Sequence, residues 1–137
     1  MKKKIKQDSN FIKVFEPSLT ISDKLSVLKA LNKKDISGSS PIIEEFEKAL
    51  QKNFKAKKAV AVSNGSVALD LAFQLAELTN DDEVILPSFT IISCLSAVVR
   101  TGAKPVFCDV DPESWNMNLE NVKKVFSNKT KAILMVH

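Results

Sequence analysis

The residues Asn64, Gly65 and Ser66 form a polar corner whose types and order could bind an anion. They follow a run of small apolar residues, 58–63, and precede a mostly apolar segment with helical spacing. A corner between a strand and a helix joins unpaired backbone N–H groups to the positive end of the helix dipole, which favours phosphate. Gly65 lets the backbone approach a ligand closely, and the Ser66 hydroxyl can add a hydrogen bond. The same residues also suit an ordinary turn with a capping serine, so both interpretations stand.

Two well-known phosphate-binding sequence patterns do not occur in this chain. One is GxGxxG, which marks dinucleotide-binding folds, and the other is GxxxxGK[ST], which marks P-loop NTPases. The sequence therefore disfavours both of these classes of phosphate-binding protein.

A second candidate site is the acidic pair Asp109 and Asp111, which follows the apolar run 104–108. Many metal-dependent nucleotide-sugar glycosyltransferases hold a divalent cation with an acidic pair of this spacing after a strand. The segment 111–114, Asp-Pro-Glu-Ser, is also an ordinary turn with proline at its second position. We prefer the turn, and we predict no metal site.

The remaining residues with chemical potential give no further site. Cys94 and Cys108 lie in apolar surroundings without the paired spacing of a zinc site, which predicts two small buried side chains. His137 is the only histidine and has no partner in the pattern. No apolar run approaches the length of a membrane span, and the basic start of the chain is not followed by an apolar signal segment. We therefore expect a cytoplasmic protein with no membrane partner.

The charge of the chain is unevenly distributed. Residues 1–60 have a net charge of +7 and residues 61–137 a net charge of −3, which give the overall +4. The lysines are scattered over amphipathic segments, Arg100 is the only arginine, and no aromatic residues alternate with the basic ones. This pattern is typical of solvated helix faces, and it argues against a nucleic-acid partner.

The elements that must position the corner follow from hydrophobic spacing. A helix is predicted from about Ile21 to Leu31, and a second begins at Pro41 with Ser40 as its cap and a buried stripe on one face. The members of that stripe are Ile42, Phe46, Leu50 and Phe54. From residue 58 onward, short apolar runs alternate with helical segments, which predicts an α/β fold with a parallel sheet covered on both faces.

The helix that follows the corner, predicted at about 66–78, has an unusual distribution of polar residues. Its polar interior positions Asp70, Gln74 and Glu77 lie on one narrow stripe, so most of its circumference is expected to be buried. A helix preceded by a buried strand points its N-terminus at the carboxyl edge of the sheet, where open α/β sheets bind ligands.

Four separated stretches resemble, in order and spacing, the N-terminal third of the DegT/DnrJ/EryC1/StrS family of sugar aminotransferases. They are "SGSSPIIEEFEKAL", "KKAVAVSNGSVALDLAF", "DDEVILPSFTIISCLSAVVRTGAKPVFCDVDPESWNMN" and "KTKAILMVH". The resemblance runs from about Pro17 to His137, and four ordered motifs are far more specific than one. The stretch "DPESWNMN" is similar to the branch that makes perosamine-type 4-amino sugars on a nucleotide carrier.

The resemblance implies a fold and a cofactor. The fold is the type I aspartate-aminotransferase fold, a three-layer α/β/α arrangement with a mostly parallel sheet, and the cofactor is pyridoxal 5′-phosphate (PLP). The family's phosphate-binding corner corresponds to Gly65 and Ser66, with Asn64 as their neighbour. Many members place an aromatic residue against the cofactor ring at the position of Ile91, so either Ile91 or Phe89 is expected to face the ring.

The resemblance also implies a reaction and a larger assembly. An amino group, usually from glutamate, passes to the keto carbon of a nucleotide-linked keto-sugar, in a homodimer. The Schiff-base lysine and the acidic partner of the ring nitrogen are expected beyond residue 137, so no catalytic residue is assigned within the chain. The chain is then expected to be an N-terminal portion, inactive alone, with an arm and helix at 1–40 and part of the PLP-binding domain at 41–137. Some PLP-dependent relatives act as dehydratases, so dehydration remains an alternative to amino transfer.

Two other functions remain open from the residues alone. One is the metal-dependent nucleotide-sugar glycosyltransferase, which depends on Asp109 and Asp111. The other is a noncatalytic anion-binding module, which needs only the corner at Gly65 and Ser66.

Overall fold

The computed structural model describes residues 15–137, which form two compact units. One unit ends at Ala61, and the other comprises Val62–His137. The division into segments 1–40 and 41–137 stays a prediction.

The first unit contains two helices with well-defined N-terminal ends. Helix α1 spans Ile21–Lys33 and begins with a capping box, in which Thr20 Oγ1 accepts from the Asp23 amide and Asp23 accepts from the Thr20 amide. Helix α2 spans Pro41–Phe54, with proline in its first turn and Ser40 as N-cap residue. Both helices confirm the sequence prediction. The Ser40 hydroxyl is buried and forms no hydrogen bond within the described chain.

The prediction of a buried stripe on α2 is wrong for this unit. Phe54 is 77% exposed, Phe46 and Ile42 are also exposed, and only Leu50 is partly buried. The apolar spacing is real, but burial requires a second apolar surface against it. The described part of this unit provides no such surface, since neither α1 nor α2 has a buried residue.

The second unit is built around a small parallel sheet, as the sequence predicts. Its elements are α3 (Gly65–Leu75), β1 (Glu83–Pro87), α4 (Ile92–Arg100), β2 (Lys104–Cys108), α5 (Leu119–Val125) and β3 (Thr130–Ile133). The strand order is β2-β1-β3, and β1 is parallel to both neighbours. The strands are joined by helical connections, which parallel neighbours require.

The core of this unit lies on the central strand. Val84, Ile85 and Leu86 of β1 are fully buried, which explains why this strand is apolar without alternation. Phe73 of α3 and Val98 of α4 pack in one cluster with Val84. By contrast β3, at the edge of the described sheet, alternates between partly buried and exposed residues.

Two predictions about the segment around the corner are wrong. Residues 58–63 form no strand, because no strand in the described part of the chain pairs with them. Helix α3 is not mostly buried, since Phe73 is its only buried residue and Leu75 is 84% exposed. The helix packs along one side against α4, and the three-stranded sheet does not cover its other faces. None of the described helices is long and apolar enough to cross a membrane.

Candidate functional site

The polar corner forms the N-terminal end of α3. Asn64 is the N-cap residue, and its Oδ1 accepts a hydrogen bond of 3.0 Å from the Val67 amide. The amides of Gly65 and Ser66 are in the first turn, where a helix offers no acceptor, and the described chain supplies none. A Cβ added to Gly65 would meet no atom within 4 Å, so the space beside this residue is open.

Helix α4 comes close to the corner through a pair of serines. The Ser66 hydroxyl donates to the Ser93 hydroxyl across 2.8 Å, which joins the first turns of α3 and α4. Helix α4 follows the carboxyl end of β1, and the Ser88 amide donates to the Cys108 carbonyl at the end of β2. The corner therefore belongs to the carboxyl edge of the sheet through its contact with α4, although residues 58–63 form no strand.

A cavity of about 520 Å³ opens at this contact. It is lined by Gly65, Ser66, Ala68, Leu69, Ile91 and Ser93. The structure thus brings together three residues that the sequence singled out, Gly65, Ser66 and Ile91. Free amides and hydroxyls form one part of the wall and apolar side chains form the rest, and none of the six residues is acidic. This donor set fits a phosphate group attached to a less polar body.

Two of the predicted residues, Asn64 and Phe89, do not line the cavity. Asn64 is the N-cap of α3, whereas Phe89 contacts another aromatic residue. Its ring lies against Trp115 with centroids 4.7 Å apart and planes at 80°, an edge-to-face contact. Both rings are 58% exposed. Of the two side chains considered for the cofactor ring, the structure places Ile91 on the cavity wall, and the role of either residue stays a prediction.

The acidic pair forms a turn. Asp111 Oδ1 accepts from the Ser114 amide at 2.9 Å and the Glu113 amide at 3.1 Å. These hydrogen bonds, the one from Ser114 foremost, lower the pKa of Asp111. Asp109 Oδ1 accepts from the Val110 amide. Across residues 15–137, no group of three or more potential ligands could hold a metal ion.

The two cysteines are buried free thiols, which confirms the sequence prediction. Burial, assisted by the charge of Asp109, raises the pKa of the Cys108 thiol. The thiol therefore stays protonated at neutral pH, and Cys108 packs as a small apolar residue.

The sequence reasoning missed two residues that define the contact between α3 and α4. Ser93 is the second residue of α4, as Ser66 is the second residue of α3. A serine at the same position of both helices was the sequence signal that could have identified Ser93. Arg100 donates from Nε and Nη2 to Asp70 Oδ1 at 3.0 and 2.6 Å. Asp70, one member of the polar stripe of α3, therefore forms an exposed ion pair with α4.

Comparison with known proteins assigns the chain to a family. The model of the DegT/DnrJ/EryC1/StrS aminotransferase family matches residues 18–137. The chain belongs to this family. It is 39% identical over 127 residues to the GDP-perosamine synthase of Escherichia coli O157:H7, covering 93% of this chain and 35% of that protein. The corresponding protein of Vibrio cholerae is 37% identical over 126 residues, with 92% and 34% covered.

Solved structures confirm the fold. The aminotransferase from Psychrobacter cryohalolentis superposes with a TM-score of 0.79 at 35% identity, over 88% of this chain and 31% of that one. A putative sugar aminotransferase of Streptococcus pneumoniae, solved in its PLP form, gives a TM-score of 0.71 at 28% identity, over 85% and 30%. The α/β fold is therefore that of these aminotransferases. The chain spans about a third of the length of the relatives it matches.

Proposed function

We propose that the protein acts in a PLP-dependent aminotransferase that transfers an amino group, from glutamate, to a nucleotide-linked keto-sugar. Membership of the sugar aminotransferase family and the similarity to GDP-perosamine synthases support this reaction. The observation that carries the proposal is the cavity in which the unpaired amides of Gly65 and Ser66 meet the Ser66 and Ser93 hydroxyls. A phosphate group would satisfy the two amides and the Ser93 hydroxyl proton, which have no other acceptor in the described chain.

The described residues would hold and orient the cofactor. The amides of Gly65 and Ser66 would donate to the phosphate, and the dipole of α3 would stabilise its negative charge. Asn64 would fix the first turn by its bond to the Val67 amide, which leaves the two preceding amides for the ligand. Ile91 would give the less polar body an apolar wall. When bound, PLP supplies the electron sink that amino transfer requires.

The other parts of the proposal follow from the family resemblance. The nucleotide-sugar and the amino donor would be the partners, and the active form would be a cytoplasmic homodimer. The Schiff-base lysine expected beyond residue 137 stays a prediction, as does the inactivity of residues 1–137 alone.

The proposal is tested with the protein purified from its native source. We expect the cofactor-loaded protein, given glutamate and a GDP-linked 4-keto-sugar, to form 2-oxoglutarate and an amino sugar in equal amounts, measured by mass spectrometry. Removing the cofactor should abolish both products, and adding it back should restore them. Failure of the cofactor-loaded protein to aminate any nucleotide-linked keto-sugar would refute the assigned reaction.

One alternative is favoured by the same cavity. A noncatalytic module would use the free amides of Gly65 and Ser66 to bind a phosphate compound without amino transfer. Phosphate binding without any product in the assay above would support it. The glycosyltransferase alternative has no such support, since Asp111 is engaged by the amides of its own turn.

A further inference from the structure

We propose that the Ser93 hydroxyl is a side-chain donor to the phosphate group, so that α3, through its backbone amides, and α4 bind the anion together. This inference rests on the proposed function, since it concerns the same cavity and the same phosphate. It adds a binding residue from α4 that the family resemblance did not assign.

The first argument is a count of hydroxyl protons. Ser66 and Ser93 carry two protons, and their mutual hydrogen bond of 2.8 Å uses one of them. Ser66 is the donor in that bond, and the described chain contains no acceptor for the proton on Ser93. Because Ser93 lines the cavity beside Gly65 and Ser66, its free proton is available to an anion there.

The second argument is the poor capping of α4. The N-cap residue of α4 is Ile91, which has no side-chain acceptor for the amides of the first turn. The Cys94 amide donates to the Ile91 carbonyl at 3.1 Å, but the Ser93 amide has no acceptor in the described chain. An anion in the cavity would cap α4, whereas Asn64 already caps α3. Ser93 thus offers both a hydroxyl and an amide.

The third argument concerns the electrostatics of the cavity. Two helix N-termini contribute to its wall, through Gly65 and Ser66 on α3 and Ser93 on α4. Each helix end favours negative charge within its first turn, and no lining residue is acidic. The contact across 2.8 Å places both ends on the same small volume. A doubly charged phosphate suits such a site better than a neutral group.

The test compares two probes that differ only in the phosphate, pyridoxamine 5′-phosphate and pyridoxamine. Neither has an aldehyde that would react with surface lysines. Isothermal titration of the full chain gives both dissociation constants, and their ratio isolates the contribution of the phosphate. Ser93→Ala should weaken pyridoxamine 5′-phosphate binding about tenfold, as expected for a hydrogen bond to a charged group, and leave pyridoxamine binding unchanged.

Three variants make the comparison specific. Ser93→Thr keeps the hydroxyl and should bind the phosphate probe within about threefold of the wild type. Ser96→Ala, the same change one turn further along α4, should have no effect, because Ser96 does not line the cavity. Ser66→Ala removes the hydroxyl that donates to Ser93 and should weaken binding by itself, and adding Ser93→Ala should weaken it further because the phosphate then loses the Ser93 proton.

The outcomes separate this inference from the proposed function. Wild-type phosphate binding that Ser93→Ala leaves unchanged would overturn the role of Ser93 and keep the phosphate site. A loss that affects both probes equally, or no further loss in the double variant, would overturn direct donation by Ser93. A wild-type chain that binds both probes equally would overturn the phosphate site and this inference with it.

Discussion

The substitution Gly65→Ala tests the phosphate site with opposite expected effects on stability and on binding. The added Cβ would meet no atom within 4 Å, and the residue does not need a left-handed backbone. Alanine restricts the unfolded chain more than glycine does, so we expect the variant to be more stable by about 0.4–1 kcal/mol. Nothing in the fold itself therefore requires glycine at this position.

A bound phosphate, by contrast, would require glycine at position 65. Gly65 lines the cavity, and its amide has no acceptor in the described chain. A methyl group beside this amide would keep a phosphate from reaching it. Losing one hydrogen bond to a charged group costs about 1.5–3 kcal/mol, or about 10- to 150-fold in the dissociation constant.

The assay measures unfolding by urea and binding of pyridoxamine 5′-phosphate and pyridoxamine by titration. The matched control is Gly38→Ala, because a Cβ there would also meet no atom within 4 Å, and Gly38 lies outside the cavity. The control should bind both probes as the wild type does. The reasoning fails if Gly65→Ala binds the phosphate probe with unchanged affinity, or if it loses stability.

Two further predictions concern the fold of the second unit. Gly102→Ala should destabilise the protein by about 1–2 kcal/mol, seen as a lower Tm, since Gly102 has a φ of +86° and an added Cβ would lie 2.1 Å from Asn80 Oδ1. An unchanged Tm would contradict this. Ser127→Ala should destabilise at pH 7 and less at pH 3, measured by urea unfolding, because the 2.6 Å hydrogen bond from Ser127 lowers the pKa of Glu83 below its usual 4.5. A carboxyl group whose pKa is lowered in the folded state stabilises the fold at pH values above its unfolded pKa. That stabilisation is lost as the pH falls through the folded pKa. An effect of Ser127→Ala that does not depend on pH would therefore contradict the role of this hydrogen bond.

The helices and the central strand could be predicted because their signals are local. The cap at Thr20 and the proline at Pro41 act within one turn, and the structure begins α1 and α2 beside them. The run around Ile85 has no polar alternation, and it became the buried central strand. These patterns reflect a local backbone preference or the burial of a whole element. Both depend on residues that are close together in the sequence.

Burial of particular faces could not be predicted, because it depends on which surfaces are available. The stripe of α2 has the right spacing, yet Phe46 and Phe54 are exposed. Residues 58–63 have the composition of a buried strand, yet a strand also needs a hydrogen-bonded neighbour. The apolar residues of α3 fail for the same reason as those of α2. The spacing of apolar residues predicts which face of a helix can be buried. Whether that face is buried depends on a second apolar surface that packs against it.

The candidate site likewise has one part that the sequence predicts and one part that it does not. The corner at Gly65 and Ser66 is local, so the sequence could single it out as a candidate anion site. Ser93 lies 27 residues after Ser66 in the sequence, and the hydrogen bond between them depends on how α3 packs against α4. No spacing rule relates positions on two different helices, so this half of the site required the structure.

The packing of α3 against α4 explains why the cavity has a defined shape. Polar contacts join the two helices at two points, Ser66 to Ser93 at the N-terminal ends and Arg100 at the end of α4 to Asp70 in the middle of α3. Ala97 of α4 is almost fully buried in the same cluster as Phe73 of α3, and its small side chain permits a close approach of the helices. Two contacts at different heights determine both the distance and the register of a helix pair, whereas one would leave rotation free. The donors of the first turns are therefore held in place before any ligand binds, which reduces the entropy lost on binding.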